Sequence, residues 1–574
     1  MMNLRRLHRP ALAAVALAAA CQREAPPGDS GKPSEGSPQP GVQGSPSLPE
    51  ELTPKPAAQP SASGASAPAP AVDAGSSASA ADHPGPWLVV TSPAAAVYPT
   101  RDFDQKAKLG YVRNGGKIAV KDKSVPGKSC SSGWYEVVSG GWVCSNLGTT
   151  DMSHPQVKFA VKQPDLSEVL PYPYARNAKN GTPLYRSVPS RDQMHKYEPY
   201  LAEAKAKRAK EAKEAKERDE AAKKSEGEGK DESAETRAAS LPSDPALSDQ
   251  DGGAPPAADA GANDSPWWQR DDAKDKLHEL TLNKLKEDSD DILAQRMVTG
   301  FYIAVDKTFS WNGRTWYKST KGLVAPADRF WLTVGAKFKG VELDGTNVKL
   351  PIAWVYGGRK TAPSYEIDLD TKKAKPAKAI EVFTAIQLTG REEEVGGFRY
   401  SETRDGAWVK NIHIRVTRPA AKPKDAGENE RWVDVNLSEQ TLVVFQGERP
   451  IYAALISSGK KSSVKDKDHS TPTGQWRVRE KHITTTMDGD GSAAGDLPYS
   501  IEDVPYVLYF HQSYALHGAF WHRNFGVQMS HGCVNLAPLD AKWVFMNTDP
   551  PLPTGWHGAW SAADRPGSWV VVHD

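Results

Sequence analysis

The chain is short of cysteine, of net charge and of long apolar runs, and each shortage removes a class of protein. Its 574 residues hold four cysteines, Cys21, Cys130, Cys144 and Cys533. No CxxC or HxxxH pair occurs, which disfavours a compact zinc module. The formal net charge is +1, which argues against nucleic acid as a main partner. The apolar run at 11–20 is too short to stay in a bilayer as a span. Residues 201–224 are Ala, Lys, Glu and Arg without an apolar stripe. They predict a solvated charged helix with Glu203/Lys207, Glu214/Arg218 and Glu220/Lys224 as i,i+4 pairs, not a partner-binding helix. The length exceeds one hydrophobic core, and 47 Gly with 45 Pro predict that part of the chain is linker.

What is present begins with an export signal. Arg5, Arg6 and Arg9 precede the apolar run, which ends in Ala18-Ala19-Ala20-Cys21. Small residues directly ahead of a cysteine resemble a bacterial lipobox. The resemblance implies a lipoprotein-type signal peptide over 1–21, lipidation of Cys21 and a membrane anchor. Gln22, rather than Asp, resembles the signal that sorts a lipoprotein to the outer membrane of a diderm cell, which implies an exported protein in the periplasm. An ordinary cleaved signal peptide with an incidental cysteine is the other reading. In an oxidising compartment Cys130 and Cys144 can pair, and Cys533 is then left over as a candidate reactive thiol.

Residues 22–85 are Pro, Ser, Ala and Gly and predict a disordered tether. Residues 86–150 carry short β-type runs such as Trp87-Leu88-Val89-Val90 and Trp134-Tyr135-Glu136-Val137-Val138. Gly133-Trp134-Tyr135 followed by Gly140-Gly141-Trp142-Val143 resembles a bacterial SH3-like barrel, with Cys130 and Cys144 flanking the hairpin. Such a module either binds the cell wall or is a spacer. The aromatic hairpin recurs at Trp316-Tyr317 with Gly322-Leu323-Val324, and at Arg399-Tyr400 with Gly406-Ala407-Trp408-Val409. Further SH3-like units are therefore expected in the β-rich region 151–420. The charged helix and a disordered stretch interrupt that region over 201–265. A short helix is predicted over 271–295 with Leu277, Leu280 and Leu285 inward, and 421–430 reads as a second linker.

Residues 431–574 predict a compact, mostly β domain. Its centre is Ser530-His531-Gly532-Cys533-Val534-Asn535, with His517-Gly518 sixteen residues before the cysteine. A histidine beside a cysteine is the minimum for thiolate catalysis: the imidazole takes the thiol proton and sulfur attacks a carbonyl. Leu536, Leu539, Trp543 and Met546 predict one face of a helix directly behind the nucleophile, whose N-terminus would favour a thiolate. His511, His517, His522, His531 and Cys533 also carry metal-ligand atoms. His531-x-Cys533 cannot serve one tetrahedral ion without strain, so neither a metal nor a cofactor is expected. A papain-like hydrolase places its cysteine before its histidine, the reverse of the order here.

The opening "L..Q.L.VF..G" pattern, Ser470-Thr471-Pro472-Thr473-Gly474, His517-Gly518, Gly526 and the Ser-His-Gly-Cys stretch together resemble the L,D-transpeptidase (YkuD-like) catalytic domain family. The resemblance covers 431–574. It implies Cys533 as nucleophile, His517 as general base and acid, and the Gly518 carbonyl as orienter of the ring. It implies oxyanion donors at the Gly532 and Cys533 amides. Ser530, His531 and Asn535 are implied at supporting or substrate-contacting positions, and Tyr499 as an assisting hydroxyl. The implied substrate is the peptidoglycan stem peptide. The diaminopimelate–D-Ala bond is cleaved through a thioester, and the acyl group passes to an amine of a second stem or of an outer-membrane protein. Hydrolysis of the same bond, or a non-catalytic wall-binding lipoprotein, are the alternatives. The whole chain is thus expected to be multidomain and mainly β.

Overall fold

The computed structural model describes residues 85–226, 280–356, 360–490 and 498–574. The expected signal peptide with Cys21, the tether as far as residue 84, and the insert over 227–279 with Leu277 lie outside the described residues.

In the first module, alternation sends Leu88, Val90, Ala95, Val97, Val112, Ile118 and Val143 into one core. They sit on strands Trp87–Val90, Ala94–Val97, Gly110–Arg113, Lys117–Ala119 and Trp142–Cys144. Strands Trp134–Glu136 and Trp142–Cys144 form a hairpin. Its turn holds Gly140 and Gly141 at φ 104° and 86°, a region open to glycine. Cys130 and Cys144 form a disulfide, and the adjoining Trp134 ring is buried against Tyr98 and Phe103. Strand Gly110–Arg113 also pairs with Gly558–Trp560 near the chain's end.

The middle region contains two bodies. The first joins sequence from both sides of the insert: Tyr174–Asn177 pairs with Tyr302–Trp311, and Thr182–Tyr185 pairs with Leu293–Met297. Both pairings close over Leu184, Leu285, Met297, Ile303 and Phe330. The helix expected over 271–295 is not formed in its described part. A 3-10 turn at Lys284–Lys286 leads into strand Leu293–Met297. The Asp290 carboxylate takes the amides of Ile292 and Leu293, which turns the chain into that strand. Leu280 and Leu285 are nevertheless buried. The charged helix runs over Tyr200–Glu226, with Lys207–Glu211, Lys210–Glu214 and Lys213–Glu217 as ion pairs. The second body is a seven-stranded sheet spanning Ile352–Val355 to Ile414–Val416.

The C-terminal domain is built from two joined sheets. Arg431–Asn436, Thr441–Gln446, Arg449–Ser457, Gly474–Arg477 and Trp569–His573 form one. Glu480–Gly489, Tyr499–His511, Tyr514–Gly518 and Val534–Leu536 form the other. The Ile456↔Leu536 pairing links them. Residues 421–430 lie against this domain: Ala426 is buried, and just before them the Ala420 amide donates to Asp434.

The expected helix behind the cysteine needs correction. Strand Val534–Leu536 intervenes, and the helix is Pro538–Met546. Pro538 is its first residue, because the residue before a proline resists helical backbone. Leu536 is therefore a strand residue and Met546 is exposed, while Ala541, Val544 and Phe545 face the core. Lys481, buried beneath the helix, donates to the Phe545 and Thr548 carbonyls at its C-terminal end.

Asp540 fastens the other end. Its Oδ1 accepts from the Gly340 amide and the Tyr452 hydroxyl, both at 2.6 Å, while its buried Oδ2 has no hydrogen-bond partner among the described residues. Burial pushes this carboxyl up to about 7, so it keeps its proton well above the range where the unfolded chain ionises. The folded state then binds the extra proton between about 4 and about 7, and this group's contribution to stability declines as pH rises through that window. Asp540→Asn, which cannot ionise, should lack that decline when urea unfolding is compared at pH 4.5 and pH 8; identical pH dependence would contradict the shift. Asp540→Ala strands two buried donors and should cost about 2–4 kcal/mol.

Candidate active site

Two parallel strands carry the candidate chemistry. Tyr514–Gly518 pairs with Val534–Leu536 in the register Leu516↔Val534, His517↔Asn535. Alternation divides the residues between two faces. Leu508, Leu516 and Val534 enter the main core. Val507 and Ala515 turn to the opposite face, where Cys533 packs beside them. His517, two residues beyond Ala515, shares that face, so thiol and imidazole are diagonal neighbours at the end of one strand pair. The Cys533 Sγ also lies 3.7 Å from the Ser513 carbonyl.

The loop before the cysteine is braced by polar contacts. Ser530 Oγ donates to the Cys533 carbonyl and accepts the Gly532 amide at 3.1 Å. The Gly532 N–H is thus engaged by Ser530 within the loop. Gly532 has φ 118°, and a Cβ there would meet the Tyr514 ring at 2.5 Å. Thr471, from the Thr-Pro-Thr-Gly stretch, accepts the Gly459 amide and donates to the Gly532 carbonyl at 2.8 Å. Gln440, from the opening pattern, donates to Ser458 Oγ and accepts the Ser458 amide. The Ser458 carbonyl in turn receives the amides of Met529 and Ser530. These contacts are a physical reason for distant motif residues in one domain: they hold the turn that presents Cys533.

His517 is 2% exposed. Its Nδ1 lies 3.4 Å from the Gly518 carbonyl, which can only accept, so Nδ1 carries the proton and Nε2 keeps its lone pair. Burial pushes the imidazole down to about 4; the Gly518 carbonyl pulls the other way and His522 reinforces the lowering. At neutral pH the ring is uncharged and able to receive a thiol proton. Trp521 lies beside it, ring centres 5.6 Å apart.

The His531 ring is stacked 5.5 Å from Tyr499 and meets His469 edge-on at 4.7 Å. Asn535 Nδ2 lies 2.9 Å from His522 Nε2, which identifies the pair as hydrogen-bonded; the buried Asn535 Oδ1 has no hydrogen-bond partner among the described residues. In the sequence Thr471 stands out only as part of the Thr-Pro-Thr-Gly stretch and His522 only as a carrier of metal-ligand atoms, while His469 and Trp521 do not stand out. His522 reads as an ordinary loop residue because nothing in its spacing reveals that the chain returns it to Asn535. His511, by contrast, packs between Trp476 and Tyr514.

Residues 430–572 match the family described as the YkuD L,D-transpeptidase catalytic domain. A Bacillus subtilis (strain 168) protein provisionally named L,D-transpeptidase YciB is 28% identical over 151 residues, 23% of this chain and 70% of that protein. Among solved structures, the Ldtfm–avibactam carbamoyl enzyme is 21% identical, covering 25% of this chain, with a TM-score of 0.19. The present chain spans about half of that one, 49%. The catalytic domain of the E. faecium L,D-transpeptidase is 21% identical, covering 25% of this chain and 98% of that one, with a TM-score of 0.19. The chain therefore carries an L,D-transpeptidase catalytic domain at residues 430–572.

With His517 as base, the rate of Cys533 acylation should hold as pH falls from 7 to about 5 and drop as the ring gains its proton near 4. The neutral ring is the active form, so activity is lost on the acid side. His517→Asn should lower the rate by about 100-fold or more. Adduct formation followed by mass spectrometry checks both; a profile that already falls between pH 7 and 6 would contradict a depressed imidazole.

Proposed function

We propose that the protein is a peptidoglycan L,D-transpeptidase acting through a Cys533 thioester. The observation that carries the reading is the uncharged, buried His517, oriented by the Gly518 carbonyl, on the sheet face shared with Cys533. Cys533 Sγ attacks the carbonyl that links diaminopimelate to the terminal D-Ala of a stem tetrapeptide, and His517 Nε2 takes the thiol proton. The C–N bond breaks, and the D-Ala amine leaves with that proton. The thioester then meets an amine of a second stem, or a lysine of an outer-membrane protein. His517 accepts the amine proton, a new amide forms and the thiol is restored. No cofactor is required for these steps. His531 and Tyr499 stack beside the loop that carries Cys533, and Ser530 and Asn535 hold that loop and its neighbour. We further propose export to the periplasm, with lipid on Cys21 tethering the enzyme to the outer membrane, and SH3-like modules that meet the wall.

Cys533→Ala in the producing cell should remove the 3→3 crosslinks or the protein–peptidoglycan links that this enzyme makes. A muropeptide profile and a protein-attachment profile both unchanged by the substitution would sink the proposal. Purified wild-type protein should gain the mass of one carbapenem on the peptide containing Cys533, and the alanine variant should not.

A further inference from the structure

Strand Tyr499–His511 is where three parts of the chain meet. It leaves ordinary strand geometry at Asp503, whose φ is 50°. For a non-glycine residue this left-handed conformation is strained and persists only where surroundings hold it. The Asp503 side chain is buried, and its partners come from separate modules. Arg113 of the first module donates to Oδ1 at 2.6 Å, and Thr484 of the adjacent catalytic strand donates to the same oxygen at 2.9 Å. Thr320 of the middle region donates to Oδ2, and Tyr174 of the middle region donates to the Asp503 carbonyl.

The two preceding residues are gripped as well. Glu502 accepts the Ala304 amide at 3.2 Å and lies 3.5 Å from the Ser319 hydroxyl. Ile501 pairs in parallel with Tyr302. Every residue of Ile501-Glu502-Asp503 is therefore held by the region that precedes the catalytic domain. Tyr499 stands two residues upstream, about 7 Å along the strand. Its ring stacks on His531, two residues before Cys533. Val507, four residues downstream of Asp503, packs in the same cluster as Cys533.

A buried ion pair is a poor device for stability alone, since apolar packing of equal volume serves as well or better. A carboxylate that needs donors from several modules at once instead selects one register. Resting on the transpeptidase reading, we infer that Asp503 is a positioning residue: through it Arg113, Tyr174 and Thr320 set the Tyr499–His531 wall of the active site, so that the modules ahead of residue 430 complete the enzyme. The region 86–333 is then part of the catalytic architecture and not only a tether.

The test uses the full chain with Arg113→Met, Tyr174→Phe and Arg113→Lys. Lys121→Met, at the exposed Lys121–Glu136 pair, is the control. Tyr174→Phe keeps the ring and removes one hydroxyl, so it remains informative if Arg113→Met unfolds. In variants shown by circular dichroism to be folded, Cys533 acylation by a carbapenem should slow roughly tenfold to a hundredfold. Alkylation of Cys533 by iodoacetamide should stay within about twofold of wild type, since the Cys533–His517 pair itself is not displaced. Arg113→Lys should recover part of the acylation rate, and the control should match wild type. Hydrogen exchange of the peptide covering 498–506 should rise in Arg113→Met and Tyr174→Phe, a readout that needs no activity. Folded variants that acylate like wild type, or unchanged exchange over 498–506, overturn the inference. Absence of any carbapenem adduct on wild type counts against the transpeptidase reading alone.

Discussion

The parallel pairing of Tyr514–Gly518 with Val534–Leu536 is the constraint on which the site depends. A cysteine and a histidine sixteen residues apart in sequence are brought to adjacent strands by it, on the face away from the main core. The same pairing buries His517 and leaves Cys533 half-buried. Burial matters chemically, because it holds the imidazole uncharged. In the proposed reaction His517 is the neutral base, and charge develops as the Cys533 sulfur engages a carbonyl. The helix Pro538–Met546 contributes little to that charge, since a strand separates its N-terminus from the sulfur and helix-end effects fall off within a turn.

That strand pair needs a loop of fixed shape between its members. The chain Gln440 to Ser458 to Ser530 and the contact from Thr471 to Gly532 supply it. Each of these side chains satisfies a backbone group that would otherwise be buried without a partner, or ties it to another strand. The loop is thereby rigid at the level of hydrogen bonds before any substrate arrives. Preorganisation of this kind is what lets a modest nucleophile react through a narrow range of geometries.

Local chemistry was readable in the sequence and long-range docking was not. The Ser-His-Gly-Cys turn, the His517-Gly518 step and the hairpin between Trp134 and Trp142 are short-range patterns, and each corresponds to a defined local geometry. The 271–295 segment shows the limit of such patterns: leucines at helical spacing also suit a turn and a strand that bury Leu280 and Leu285, and the Asp290 turn decides between them. The helix after Cys533 starts later than its leucine spacing suggests for a similar reason, since Pro538 sets its start and rotates Ala541, Val544 and Phe545 inward. Nothing in a single sequence could reveal that Gly110 pairs with Ala559, or that Arg113 reaches Asp503, because such contacts follow from folded surfaces meeting and leave no periodic trace.

Asp503 and Asp540 show how one residue type takes opposite states in one domain. Both are buried. Among the described residues Asp540 is hydrogen-bonded only by neutral donors, on a single oxygen, so burial outweighs them and the Lys339 charge and it keeps a proton. Asp503 meets the Arg113 guanidinium and hydroxyls on both oxygens, so partners outweigh burial and hold its carboxyl below the usual carboxylate range. The neutral acid joins elements beside one another within a compact body: a helix, a strand and the segment before Val341–Glu342. The ionised one joins modules. An ion pair across a seam tolerates fewer substitutes than a neutral hydrogen bond, because either charge left alone is heavily penalised. The charged contact therefore stands where the relative placement of whole modules has to be unique, at the strand that leads to Tyr499.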